Sequence, residues 1–291
     1  MAKHFLGKDV TAALNERLAE KSGALRAKGI VPKLTIVRCG ENPSDMAYEK
    51  GALKRAAVVG VETEVRILPE MVTAEALIAE IEALNTDEAV HGVLLFRPLP
   101  RHLKERESEI CNHLRPEKDV DCMTDLSHAG VYTGKALGFP PCTAEACMTI
   151  LAHYGYDLTG KRAVVIGRSL VIGKPVAMML TAANATVTLC HTKTRNLPAV
   201  TAEADLIVTA AGALKSLTKE YVRPGQVVID VAMNWDPDKK DGQGGFAGDA
   251  LFEEVEPVVE AITPVPGGVG AVTTSVLMSH VVAAAERSDQ R

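Results

Sequence analysis

Val164-Val165-Ile166-Gly167-Arg168-Ser169-Leu170-Val171-Ile172-Gly173-Lys174-Pro175 decides the fold. A β-branched apolar run stops at a glycine, crosses a short loop and restarts as a helix near Gly173. Strand, loop and helix in that order present backbone N–H groups and a helix N-terminus to the pyrophosphate of a dinucleotide. A glycine-rich loop alone also serves tight strand–helix packing. Its place at the first βα turn of its series favours the nucleotide reading. The next strand, Thr186-Val187-Thr188-Leu189, runs into Cys190-His191-Thr192-Lys193-Thr194-Arg195. An acidic residue there would bond a ribose 2′-hydroxyl. Hydroxyls and cations stand there instead, with Arg168 in the loop, and these suit a 2′-phosphate. NADP is therefore favoured over NAD. Lys193 and Arg195, taken singly, read equally well as solvated loop charges.

Outward from this unit, strand-like and helix-like stretches alternate along the whole chain. That pattern predicts an α/β protein with mainly parallel sheets. Before the unit come a helix over 9–28, strand Leu34-Thr35-Ile36-Val37, a helix over 44–59, strand 64–68, a helix over 73–84 capped by Thr73, and strand Gly92-Val93-Leu94-Leu95-Phe96. After it come strands over 205–209 and 226–231, a Gly/Asp-rich surface loop from Asp236 to Gly248, and a helix over 272–286. The predicted organisation is one domain from 1–122 plus 271–291 and a Rossmann-like NAD(P)-binding domain over 140–270. Residues 123–139 would connect them, and the last helix would return to the first domain.

With 291 residues the chain can bury a large core. A formal net charge of -5 argues against a nucleic-acid surface. None of the six cysteines forms a C-x-x-C pair, so they read as free core thiols of a reducing compartment. The N-terminus lacks the apolar core of a signal peptide, and no apolar run is long enough to span a bilayer. The expectation is a cytoplasmic protein with no membrane and no metal.

Five stretches, in order, carry a family likeness. They are Asn42-Pro43 followed by Tyr48; Pro98-Leu99-Pro100; Pro116-Glu117-Lys118-Asp119-Val120-Asp121; the Gly167-Arg168-Ser169 loop; and Ile262-Thr263-Pro264-Val265-Pro266-Gly267-Gly268-Val269-Gly270. On these the chain resembles the methylenetetrahydrofolate dehydrogenase/cyclohydrolase family over nearly its whole length. Pro140-Pro141-Cys142-Thr143 adds to the likeness, although Ala144 and Ala146 stand where Pro and Gly commonly follow. The resemblance implies an N-terminal folate-binding domain, a nucleotide-binding domain and a homodimer formed through the latter. It implies tetrahydrofolate as substrate, with Tyr48 and Asp121 in the catalytic site. Asp121 would accept paired N–H bonds from the 2-aminopyrimidine edge of the pterin, and Tyr48 would flank the pterin. Leu99, Pro266 and Gly267 would wall the substrate cleft. Thr143, Gly167, Arg168, Ser169, Ile172, Gly173, His191, Thr192 and Thr273 would hold NADP.

Two departures bear on the chemistry. The family's catalytic lysine lies four residues after the tyrosine, where this chain has Ala52. The family's glutamine lies two residues before the Pro-Leu-Pro turn, where this chain has Phe96. Lys50 and Lys54 do not share the face of Tyr48, since each residue turns a helix by about 100°. Hydride transfer asks only for alignment of donor and acceptor. Hydrolysis of the methenyl product asks for a positioned acid–base group. The expectation is an NADP-dependent dehydrogenase with weak or absent cyclohydrolase activity. The alternatives are a bifunctional enzyme using relocated groups and a non-catalytic folate- or nucleotide-binding relative. Arg97, beside Phe96, reads as reaching either the glutamate tail of the folate or a neighbouring surface.

Overall fold

The computed structural model describes residues 1–239 and 243–289. In chain order β1 (Lys3–His4) and α1 (Gly7–Ala27) lead into β2 (Lys33–Cys39), α2 (Pro43–Val59), β3 (Glu62–Leu68), α3 (Ala74–Thr86) and β4 (Gly92–Leu95). Two short helices follow, α4 (Glu107–Cys111) and α5 (Asp125–Thr133). The second series runs α6 (Cys142–His153), β5 (Arg162–Ile166), α7 (Gly173–Ala182), β6 (Thr186–Cys190), α8 (Leu197–Ala202), β7 (Leu206–Thr209) and β8 (Val227–Asp230). It ends with β9 (Asn234–Asp236), β10 (Gly245–Ala247), α9 (Phe252–Val255), β11 (Ala261–Ile262) and α10 (Thr273–Ser288). The fold is the expected two-domain α/β arrangement with parallel sheets.

Two compact units divide the chain: Ala13–Cys142 with Thr274–Arg291, and Met1–Ala12 with Thr143–Thr273. In the first, three parallel strands are ordered β3–β2–β4. The central strand β2 buries Leu34, Ile36 and Val37 completely. One face packs with α3 and β4 through Val37, Leu77, Ile81, Leu84, Val93 and Leu95. Local chemistry sets the helix ends. Asn42 caps α2 by accepting from the Ser44 N–H (2.8 Å), and Gly60 ends it in the left-handed conformation. Thr73 caps α3 as its sequence position predicts.

The second unit is a six-stranded parallel sheet ordered β1–β11–β8–β7–β5–β6. Its strands β7 and β8 are buried throughout, as strands covered on both faces must be.

Three boundaries differ from those read in the sequence. Residues 1–12 belong with the nucleotide unit, because β1 pairs with β11 (Lys3↔Ala261, His4↔Ile262). Residues 123–139 are no mere connection. Asp119 caps the Met123 and Thr124 N–H groups and accepts from the Ser127 hydroxyl, and α5 follows. Within the stretch Asp236–Gly248, residues 234–236 and 245–247 pair as an antiparallel hairpin, and 240–242 lie outside the described residues. All six cysteines are free, and among the described residues no helix is long and apolar enough to cross a membrane.

Candidate active site

In the nucleotide unit β5 delivers Gly167 at its C-terminal end. A side chain on Gly167 would meet the Ala210 carbonyl oxygen at 2.3 Å, and one on Gly173 would meet the Gly167 oxygen at 2.1 Å. The loop therefore closes on itself only with glycine at both positions. Ser169 holds its far side, accepting from the Ile172 N–H (3.1 Å) and the Gly173 N–H (3.5 Å). A pocket of about 390 Å³ lies against this turn. Of the residues expected to hold NADP, Gly167, Arg168, Ser169, His191 and Thr192 line it, whereas Thr143, Ile172, Gly173 and Thr273 belong to the same unit but do not. Thr273 is buried, and its hydroxyl donates to the Gly270 carbonyl (3.2 Å) at the start of α10.

The turn after β6 is tied by the His191 N–H to Thr194 Oγ1 (2.9 Å) and the Lys193 N–H to His191 Nδ1 (3.1 Å). With Nδ1 accepting, a neutral His191 carries its proton on Nε2 and is a donor there. A glycine turn, backbone donors, a guanidinium, a hydroxyl and an imidazole donor, with no carboxylate lining the pocket, fit a phosphorylated dinucleotide.

Sequence reasoning missed the residue that shapes the opposite wall. Asp249 is fully buried. Its Oδ2 accepts from Thr209 Oγ1 (3.0 Å), the Ala211 N–H (2.7 Å) and the Gly212 N–H (3.3 Å). Its Oδ1 accepts from the Ala213 N–H (2.7 Å) and Asn234 Nδ2 (3.1 Å). Thr209, Ala211 and Ala213 all line the pocket. Behind Asp249, Asp230 accepts from the Asp249 N–H (3.1 Å) and the Ala250 N–H (2.8 Å). Burial pushes the Asp230 carboxyl up to about 7 against the pull of these N–H bonds.

In the other unit Tyr48 and Ala52 lie on α2, and Ala52 is fully buried. Phe96 follows β4 and meets Tyr48 edge to face, with ring centroids 6.0 Å apart. Lys50 and Lys54 are exposed, as the helix geometry predicts. A second missed feature crosses from β2 to α2. Arg38 is 5% exposed, and its Nε donates to Glu49 Oε2 (2.9 Å) while its Nη1 donates to the Gly40 carbonyl. The buried cation between β2 and the helix of Tyr48 is thus a guanidinium already committed to a carboxylate. Its signal in the sequence is an arginine directly after the apolar pair Ile36-Val37 near the end of β2.

Asp119 and Asp121 divide two tasks. Asp119 is fully buried and serves the backbone described above. Asp121 is half-buried and accepts from the Cys142 N–H at 3.3 Å. The preceding Val120 carbonyl is pinned by His280 Nδ1 (2.8 Å) from α10 and by the Cys142 thiol (3.3 Å). Burial pushes the Asp121 carboxyl up, opposed by Cys142 and by the charge of Arg97. Leu99 is buried in the same unit, and its N–H donates to Glu107 Oε2 (2.8 Å). Pro266 and Gly267 are exposed in the nucleotide unit, where the Gly267 carbonyl accepts from the Gly7 N–H (2.8 Å).

Comparison with known proteins places both units. Residues 5–121 match the tetrahydrofolate dehydrogenase/cyclohydrolase catalytic domain, and residues 141–289 match the NAD(P)-binding domain of the same family. The bifunctional protein FolD of Carboxydothermus hydrogenoformans is 49% identical over 286 residues, covering 98% of each chain. The crystal structure of the bifunctional FolD methylenetetrahydrofolate dehydrogenase/cyclohydrolase from Campylobacter jejuni superposes with a TM-score of 0.92 at 38% identity, over 99% of both chains. The Trypanosoma brucei methylenetetrahydrofolate dehydrogenase–cyclohydrolase, solved with NADP cofactor and an inhibitor, gives 0.91 at 34% identity over 100% of this chain and 99% of that one. With its glycine turn in one unit, its Tyr48 and Asp121 in the other, and matches that span both, this chain belongs to the tetrahydrofolate dehydrogenase/cyclohydrolase family.

Proposed function

We propose that this protein oxidises 5,10-methylenetetrahydrofolate to 5,10-methenyltetrahydrofolate with NADP⁺, and that its hydrolysis of the methenyl product is weak or absent. Bound NADP⁺ supplies the hydride acceptor. Backbone groups of 167–173 would hold its pyrophosphate, and Arg168, His191 and Thr192 would meet the 2′-phosphate. Asp121 accepts two N–H bonds from the pterin edge, a role for which a half-buried carboxylate is fitted. Tyr48 and Phe96 make an apolar aromatic corner beside it. The product is a delocalised amidinium, so no proton has to leave the reacting carbon. Alignment is the main demand on the protein.

Water addition to that amidinium needs a group that exchanges a proton near neutral pH. The observation that carries the reading is Ala52 on the face of Tyr48, with Phe96 packed against the same ring. Arg38 does not replace a lysine base. A guanidinium stays protonated in proteins, and this one is bound to Glu49. A spectrophotometric assay tests both parts. Methylenetetrahydrofolate should reduce NADP⁺ faster than NAD⁺, and added methenyltetrahydrofolate should decay no faster than in buffer. Enzymatic decay would establish the bifunctional alternative. No reduction of either nucleotide would establish the binding-protein alternative.

A further inference from the structure

We propose that Arg97 is a specificity-determining residue that donates to the 4-oxo group of the pteridine, beside the N–H pair taken by Asp121. The inference rests on the folate reading above. Arg97 lies just beyond β4, whose Val93 bridges in parallel to Asp119 and whose Val93 N–H donates to the Lys118 carbonyl (2.8 Å). Residues 118–119 therefore lie alongside β4, and the turn that carries Asp121 follows at once. The Phe96 N–H to the Val37 carbonyl (3.0 Å) and the Leu99 N–H to Glu107 hold that extension on both sides of Arg97.

The Arg97 side chain is half-buried, and its charge acts on Asp121, Cys122, Cys111 and His128. Among the described residues it has no hydrogen-bond or ion-pair partner. Asp119 is engaged by Met123, Thr124 and Ser127, and His128 Nδ1 meets the Cys122 thiol (3.5 Å). The contrast with Arg38, which spends its donors on Glu49 and Gly40, is direct. A partly desolvated guanidinium with five N–H donors is costly without an acceptor. The pterin edge supplies one. Its 2-amino and N3 hydrogens face a carboxylate, and the next atom along the edge is a carbonyl oxygen. Asp121 and Arg97 together present an acceptor and a donor in the order that this edge needs.

Calorimetry on the intact protein tests this with two ligands, folic acid and its 4-amino counterpart. In the 4-amino compound the acceptor beside N3 becomes a donor and N3 loses its hydrogen, so each variant is compared with the unaltered protein on the same ligand. Arg97→Leu should weaken folic acid binding roughly tenfold to hundredfold, the worth of one charge-assisted bond, and should change binding of the 4-amino compound less than about twofold on the same scale. Arg97→Lys should restore part of the preference, with NADP⁺ affinity unchanged in both variants as the check on folding. Equal losses for the two ligands would reduce Arg97 to a packing role, and no loss would remove it from the site. Either result overturns the proposal, and so does failure of the unaltered protein to bind folic acid. These measurements need no turnover, so an inactive protein that keeps the preference would sink only the proposed activity.

Discussion

Replacing Asp249 by asparagine strikes the pocket at the Gly167 turn without replacing any residue that lines it. The carboxylate now serves five donors, three on Oδ2 and two on Oδ1. An amide has one acceptor oxygen. If that oxygen keeps Thr209, Ala211 and Gly212, the new NH₂ faces the Ala213 N–H, now 2.7 Å from Oδ1, and Asn234. Asn234 can turn its own amide, but a backbone N–H cannot. One buried donor left unpaired costs about 1–3 kcal/mol, and the bonds that remain lose the strengthening of a charged acceptor. The total is roughly 2–4 kcal/mol, taken from the segment 209–213 that forms the pocket wall. We expect the dissociation constant for NADP⁺ to rise at least tenfold, equivalent to about 1.4 kcal/mol, while folic acid binds as before. Calorimetry with each ligand, alongside thermal unfolding, reads this directly. A folded Asp249→Asn protein that binds NADP⁺ within twofold of the original would refute the reasoning.

Three further outcomes are expected. Ala52→Lys combined with Phe96→Gln should raise methenyltetrahydrofolate hydrolysis above the buffer rate, and the rate should rise again when Arg38→Ile and Glu49→Val remove the neighbouring ion pair; a quadruple variant no faster than buffer would show that these positions do not decide the activity. Gly173→Ala should abolish measurable NADP⁺ binding, since the added carbon would sit 2.1 Å from the Gly167 oxygen; binding within threefold of the original would contradict the closed turn. Asp230 takes up a proton more readily folded than unfolded, its carboxyl being raised to about 7. Its contribution is therefore fully present below about pH 4 and is lost as pH rises through about 7. Denaturant unfolding should show stability falling between pH 5 and pH 8 more steeply in the original protein than in Asp230→Asn, and parallel curves would reject the assignment.

The alternation of strands and helices was readable because the long elements carry their own periods, and Thr73 marks the start of α3. The Gly167–Gly173 turn was readable because its constraint is local: two glycines and one serine close it. Ala52 and Phe96 were legible as departures from a pattern. What the sequence hid is non-local. Asp249 reaches Ala211 across 38 positions, with nothing near either residue to announce the pairing. Strands of two residues such as β1 and β11 have no period to detect. Arg38 and Glu49 look like ordinary solvated charges until β2 and α2 are brought together.

Both compact units are assembled from segments far apart in the chain. β1 finds its partner only at residues 261–262, and the unit built on β2 is completed by residues from 274 onward. The nucleotide unit cannot finish before residue 273 has been made, and the β2 unit cannot finish while the ribosome is still making the C-terminal helix. At typical elongation rates the early strands wait roughly 15–60 s for the chain to be completed. During that interval β2 and β4 can already pair, but the β11 edge that β1 will cover does not yet exist. Premature termination anywhere before β11 would thus leave two unfinished bodies, not one sound domain and one truncated one.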